Sequence, residues 1–228
     1  MIKIAIDGPS GSGKSTLAKN LSKKLCFVYV DTGALYRSVG LYMIRNGVSP
    51  TDAVAVSARL GELNVEFRHD GEGAQHVYLN GEDVSGLIRT NEVSMAASAV
   101  SAIPAVRDFL LSAQRNVAKT QNVIMDGRDI GTVIFPDAQV KIFLTAGSEA
   151  RAIRRCDELR AKGQDVTLEY VKETMAARDA NDSGREVAPA IPAEDAVFLD
   201  NSEFAPEDTL KAALNIISYR IDVSEFGL

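Results

Sequence analysis

The sequence predicts an α/β protein with a five-stranded parallel sheet flanked by helices. Three observations predict it. Five short apolar runs, at 2–6, 27–30, 123–125, 140–144 and 197–199, have the length of buried strands. Stretches with helical apolar spacing separate them, and that alternation gives parallel pairing through right-handed crossovers. Between the first run and the first helix lies Gly8-Pro9-Ser10-Gly11-Ser12-Gly13-Lys14-Ser15, which fits G-x-x-x-x-G-K-[ST]. Strand, glycine loop and helix in that order make this a P-loop NTPase-type core.

The elements follow in order. Leu17, Ala18, Leu21 and Leu25 mark the first helix. In the loop before it, glycines permit positive φ, so successive N–H groups can turn inward around a phosphate. The helix N-terminus adds partial positive charge. Lys14 would meet the β/γ-phosphates and the Ser15 hydroxyl would ligate Mg²⁺. The motif implies a bound nucleoside triphosphate and leaves open what is done with it. The second strand, Phe27–Val30, runs into Asp31-Thr32-Gly33 and a helical stretch at 34–46, with Gly47 as its C′ residue. Asp31, Thr32, Tyr36 and Arg37 fall at the carboxyl rim where such sheets bind ligands. Asp31 and Thr32 read equally as helix caps.

A helical segment at 51–63 precedes a change of period. Short strands at 65–68 and 77–79, a turn at 69–73, the hairpin signal Asn80-Gly81 and a third short strand read as an inserted subdomain, 64–102, between core segments 1–63 and 103–228. His69 and His76 lie in it without metal-ligand spacing and read as surface residues. Thr90 caps a helix at 92–102, and Pro104 opens the next. There Val106, Phe109, Leu110, Ala113 and Val117 share an apolar face, and Arg107 falls off it, as a solvated residue would. The third strand ends in Asp126-Gly127-Arg128-Asp129. An apolar run ending in Asp downstream of a P-loop resembles a Walker B arrangement, in which Asp126 holds the Mg²⁺ shell; a charged turn after a strand reads the same way. Arg151, Arg154 and Arg155 share one helix face, either solvated or closing over phosphates. Arg178 lies in a helix at 167–181, and the break Asp182-Ser183-Gly184 before Arg185 reads as a hinge. A last helix spans 206–219.

Composition bounds the function. The chain has 228 residues, 46% hydrophobic and 25% charged, enough for one core with a small insert. A net charge of −6 without a long Lys/Arg block speaks against a nucleic-acid polymer as partner. No apolar run reaches the roughly 18 residues of a membrane span. The first strand begins at once, leaving no room for a signal peptide, and Cys26 and Cys156 read as reduced, partly buried thiols. The expected compartment is the cytoplasm.

The ordered motifs Gly8 to Thr16, Asp31-Thr32-Gly33-Ala34-Leu35-Tyr36-Arg37 and Asp126-Gly127-Arg128-Asp129 through Pro136 closely resemble the bacterial cytidylate kinases. So do the hairpin Leu79–Ser85 and the late segment Arg178 to Pro189. The resemblance covers nearly the whole chain. It implies a nucleoside monophosphate kinase with core strand order 2-3-1-4-5, a monophosphate-binding insert and a helical lid within 149–186. It implies MgATP as donor and CMP or dCMP as acceptor; a monomer is expected. Carried over by position, Gly8 to Thr16 with Arg154 and Arg155 would bind ATP. Thr32 and Arg37 would contact the acceptor phosphate, and Ser98, Arg107 and Asp129 would read the cytosine. Arg128 and Arg178 would bind phosphate, joined by Arg185 on lid closure, and Asp182 would meet the ribose. Lys14, Arg128, Arg178 and Arg185 would act in the transfer itself. Position 15 is Ser where some members have Gly, and position 32 is Thr where some have Ser. Two other readings remain: a P-loop kinase for another small acceptor such as UMP, and a nucleotide-dependent switch. The second would lack an acceptor, and no guanine-reading Asn-Lys-x-Asp stretch is present.

Overall fold

The computed structural model describes residues 1–71, 75–161 and 163–226. β1 (Lys3–Asp7) runs through the glycine loop into α1 (Lys14–Leu25), and β2 (Val28–Asp31) runs directly into α2 (Thr32–Arg45). A short α3 (Ala53–Arg59) leads to β3 (Val65–His69), β4 (Gln75–Leu79) and β5 (Glu82–Asp83). α4 (Asn91–Ser101) and α5 (Pro104–Asn116) return the chain to β6 (Val123–Gly127). A π-helical turn, Ile130–Ile134, precedes β7 (Val140–Thr145), α6 (Ser148–Ala161) and α7 (Leu168–Gly184); β8 (Val197–Asp200) and α8 (Pro206–Ser218) follow.

The main sheet has the order β2-β6-β1-β7-β8, with every pair parallel. β1 lies at its centre and is buried on both faces. Ile4 and Ile6 pack with Leu17 and Leu21 of α1 and Ile217 of α8, while Ala5 faces Val30, Met125 and Ile130 on the opposite side. This is the period of two expected of a strand covered on both faces. Ile4, Ile6 and Leu21 are 0% exposed, and each such side chain contributes about 1.5–3 kcal/mol by burial. The three antiparallel strands form a second sheet, β3-β4-β5. Asn80 and Gly81 both have positive φ, 50° and 86°, as a two-residue type I′ hairpin requires. Val77 and Leu79 join Val39, Met43, Val93 and Val100 in one cluster, so this sheet packs on α2 and α4.

Several expectations change. The helix expected to end near 181 continues as α7 through Gly184, so Asp182-Ser183-Gly184 is a last helical turn rather than a break. Ser183 Oγ donates to Asp179 O at 2.8 Å within it, and Asp182 is anchored from outside by Ser98 and Arg128. Arg107 is buried, 7% exposed, because its counter-charge Asp129 comes from another element. The core strands are not apolar throughout. β7 buries Lys141, whose Nζ donates to Asp195 at 2.8 Å, and the edge strand β8 exposes Phe198. Cys26 is exposed at a left-handed helix end (φ 55°), while Cys156 is buried. α3 starts at Ala53 rather than at Thr51, since Asp52 caps it. Residues 72 and 73 of the expected turn lie outside the described residues.

Candidate active site

The glycine loop is fixed by close packing beneath it. Gly8 has φ 149°, and a Cβ there would lie 2.0 Å from Leu144 O, so only glycine fits. Asn201 Nδ2 donates to Ser12 O at 3.0 Å, and Arg154 in turn donates to Asn201 O at 2.7 Å. Lys14, the first residue of α1, is buried and donates to Pro9 O at 2.6 Å. Burial, then the nearby Arg128 charge, pushes its ammonium pKa well below the usual lysine value. Such a cation is suited to an incoming anion.

Beside the loop, Ser15 Oγ donates to Asp126 Oδ2 at 2.8 Å, and Tyr29 OH donates to Asp126 Oδ1 at 2.9 Å. Burial, then the charge of Asp31, raises the Asp126 carboxyl to about 6. The β2–β6 register sets Asp31 opposite Asp126. Asp31 caps α2, as one of its two readings expected, by accepting from Ala34 N at 3.1 Å, and it also holds Arg37 at 2.7 Å. Burial opposes its charge, but Arg37 and Arg89 overcome that and hold its carboxyl below the usual range. Thr32 Oγ1 donates to Asp126 O at 2.9 Å, which joins α2 to the end of β6.

The remaining residues converge from α4, α5, the end of β6 and α7. Ser98 Oγ and Arg128 Nε donate to the two carboxylate oxygens of Asp182, at 2.8 and 2.9 Å. Arg178 Nε lies 3.9 Å from the same carboxylate. Burial, then Arg128, lowers the Arg178 guanidinium to about 10. Arg107 pairs with Asp129 and donates to Ser101 O at 3.2 Å. Arg185 donates to Ser101 Oγ at 2.9 Å and lies 3.6 Å from Asp129. All these side chains face one cleft of ≈ 720 Å³ that also takes in Gly11, Gly13, Lys14, Ser15, Thr16, Arg154 and Arg155. Gly8, Pro9 and Ser12 of the loop do not line it.

Arg151, on the helix face shared with Arg154 and Arg155, turns away from the cleft. It pairs with Asp179 at 2.5 Å and donates to Ser10 O at 2.8 Å. Sequence reasoning missed Asp179, Ser101, Asn201, Arg89 and Asp7. Ser101 lies one helical turn from Ser98, a signal that could have found it. Asn201 directly follows the last core strand, at the carboxyl rim. Among the described residues, no cluster of three or more His, Cys, Asp or Glu could hold a metal.

A family model described as cytidylate kinase matches residues 4–219. A cytidylate kinase of Bacteroides fragilis is 48% identical over 205 residues, covering 88% of this chain and 90% of that protein. One from Caldicellulosiruptor bescii is 45% identical over 224 residues, covering 98% of each. A crystal structure of an uncharacterized protein from Eubacterium ventriosum aligns with a TM-score of 0.51 at 12% identity, over 96% of this chain and 99% of that one, a likeness of fold alone. The chain belongs to the cytidylate kinase family.

Proposed function

We propose that the chain transfers the γ-phosphoryl group of ATP to CMP or dCMP, giving ADP and CDP or dCDP. The observation that carries this reading is one cleft that joins two kinds of wall. A glycine loop with a buried lysine forms one wall, and the Arg107–Asp129 pair with Ser98 and Ser101 forms the other. The acceptor's phosphate oxygen is already anionic, so in-line attack on the γ-phosphorus needs no strong general base and no covalent enzyme intermediate. Catalysis is then positioning and charge neutralisation. Lys14, Arg128, Arg178 and Arg185 supply the counter-charge. Thr32 and Arg37 hold the acceptor phosphate with Arg128 and Arg178, and Asp182 meets the ribose. Gly8 to Thr16, Arg154 and Arg155 hold ATP.

Ser15 and Asp126 fit Mg²⁺. Their oxygens are 2.8 Å apart at the loop's mouth, and among the described residues the buried Asp126 carboxylate has no cationic partner in direct contact. Bound there, the ion supplies charge neutralisation on the donor phosphates. Residues 64–102 would serve as the acceptor-binding insert, and 149–186 as a lid that excludes water on closure.

Cytosine donates from its C4 amino group and accepts at N3 and O2. Asp129 can accept the first, and Arg107 with Ser98 can donate to the others. Uracil reverses two of these groups, and each mismatch leaves a buried polar group unpaired at about 1–3 kcal/mol. The test is ADP release with CMP, dCMP, UMP and AMP, for the wild type and Asp129→Ala. Wild-type preference for CMP over UMP should be on the order of 10²–10⁴ in kcat/KM, and Asp129→Ala should narrow it. Equal use of all four acceptors, or ADP release without any, would refute the reading.

A further inference from the structure

The carboxylate of Asp7, the last residue of β1, is buried at 4% exposure, and the reaction described above gives it no task. Its two oxygens accept from consecutive backbone N–H groups, Ile130 N at 2.8 Å and Gly131 N at 2.7 Å. These open the π-helical turn that directly follows Asp129. The first N–H groups of a helical turn have no partner within it. Here a carboxylate from a strand more than a hundred residues earlier in the chain satisfies two of them, and its charge suits that end. The fit is close: a Cβ on Gly131 would lie 3.3 Å from Asp7 Oδ2 and 3.1 Å from Lys141 Cδ. On its other side, Asp7 is joined to Gly8, which is locked against Leu144 O. The β1–β6 ladder sets Asp7 opposite Gly127. One side chain therefore connects the root of the phosphate loop to the turn that carries Asp129.

We propose that Asp7 is a positioning residue that holds the Asp129 turn in register with the phosphate loop, and thereby sets acceptor-base discrimination. This rests on the reading that Asp129 meets the base. Two N–H donors need two acceptor oxygens. Asparagine offers one, and its amino group would face the other N–H. Asp7→Asn thus frees one end of the turn while keeping the side chain's shape. Asp7→Ser keeps one short acceptor and opens space, as a second variant should the first fail to fold.

The experiment measures kcat and KM for CMP, UMP and ATP in Asp7→Asn, Asp7→Ser and Asp129→Ala, with amide hydrogen exchange over 128–134. The expected result is a KM for CMP raised roughly tenfold or more, a narrowed CMP/UMP ratio, an ATP KM within about twofold, and faster exchange at Ile130 and Gly131. If Asp129→Ala narrows the ratio and the Asp7 variants do not, the proposal is overturned while the base reading stands. If none narrows it, the base reading fails and this proposal with it. Narrowing by the Asp7 variants alone would show that Asp7 does not act through Asp129. Failure of both variants to fold would make Asp7 a purely structural group, which also overturns the proposal.

Discussion

Lys14 illustrates how a residue can be buried and still belong to ligand. The residue is 6% exposed, its ammonium donates to one loop carbonyl, and its neighbour Arg128 carries the same charge. A cation so placed pays desolvation without a full counter-charge. An incoming triphosphate supplies it. Lys14→Ala should reduce kcat by about 10²-fold or more, the scale seen when a preorganised charge-stabilising donor is removed. The melting temperature should not fall, because the variant also removes the buried charge. Near-normal turnover in a folded variant would show that Lys14 does not face the transferring phosphate.

At the scale of elements, α6 and α7 are bound to the phosphate loop through the backbone of one residue, Ser10. Asp179 Oδ1 accepts from Ser10 N at 3.0 Å, and Arg151, paired with Asp179, donates to Ser10 O at 2.8 Å. α7 also reaches α4 through Asp182 and through Asn181, whose Nδ2 donates to Ser98 Oγ at 2.9 Å. The helices thus bridge donor and acceptor sides of the cleft. Hydrogen exchange with and without a bisubstrate analogue should show protection rising across 149–185; unchanged protection would remove the lid from the mechanism. Much of this architecture was legible in the sequence, because local signals carry it: the glycine loop, the period-two strand of β1, the Asn80-Gly81 turn. The parts that were not legible depend on distant partners. Arg107 reads as solvated by its helix position, and only Asp129 at the end of β6 explains its burial. The apolar string at 130–134 has no helical period to read, and Asp7 holds its first turn from another strand. Asp182 to Gly184 looks like a break until Ser98 and Arg128 fix the carboxylate in place.

For the whole molecule, the buried carboxylates act in opposite directions on stability. Asp31 and Asp182 are held below the usual range: burial opposes their ionisation, and arginines overcome it. Their contribution is present above the unfolded carboxylate pKa and is lost as pH falls. Asp7 has the other sign. Burial raises its carboxyl to about 6, against the two backbone N–H bonds; Asp129 raises it further, and Lys14 counters weakly. The folded chain therefore binds a proton at Asp7 more tightly than the unfolded chain does. The stability linked to that proton is fully present below about pH 4 and is lost as pH rises through 6. At pH 4.5 it amounts to about 2 kcal/mol relative to pH 8. The wild-type curve sums both classes, so it cannot isolate Asp7, whereas the difference between wild type and Asp7→Asn can. Loss of the bond to one N–H adds an offset that does not vary with pH. Urea melts at pH 4.5 and pH 8 should show the wild type's advantage over Asp7→Asn larger at pH 4.5 by about 2 kcal/mol. A gap that stays constant would mean that Asp7 titrates alike in folded and unfolded chains. A larger gap at pH 4.5 would mean that at neutral pH the fold gives up stability to keep an ionised carboxylate under the Asp129 turn, where two N–H groups require both of its oxygens.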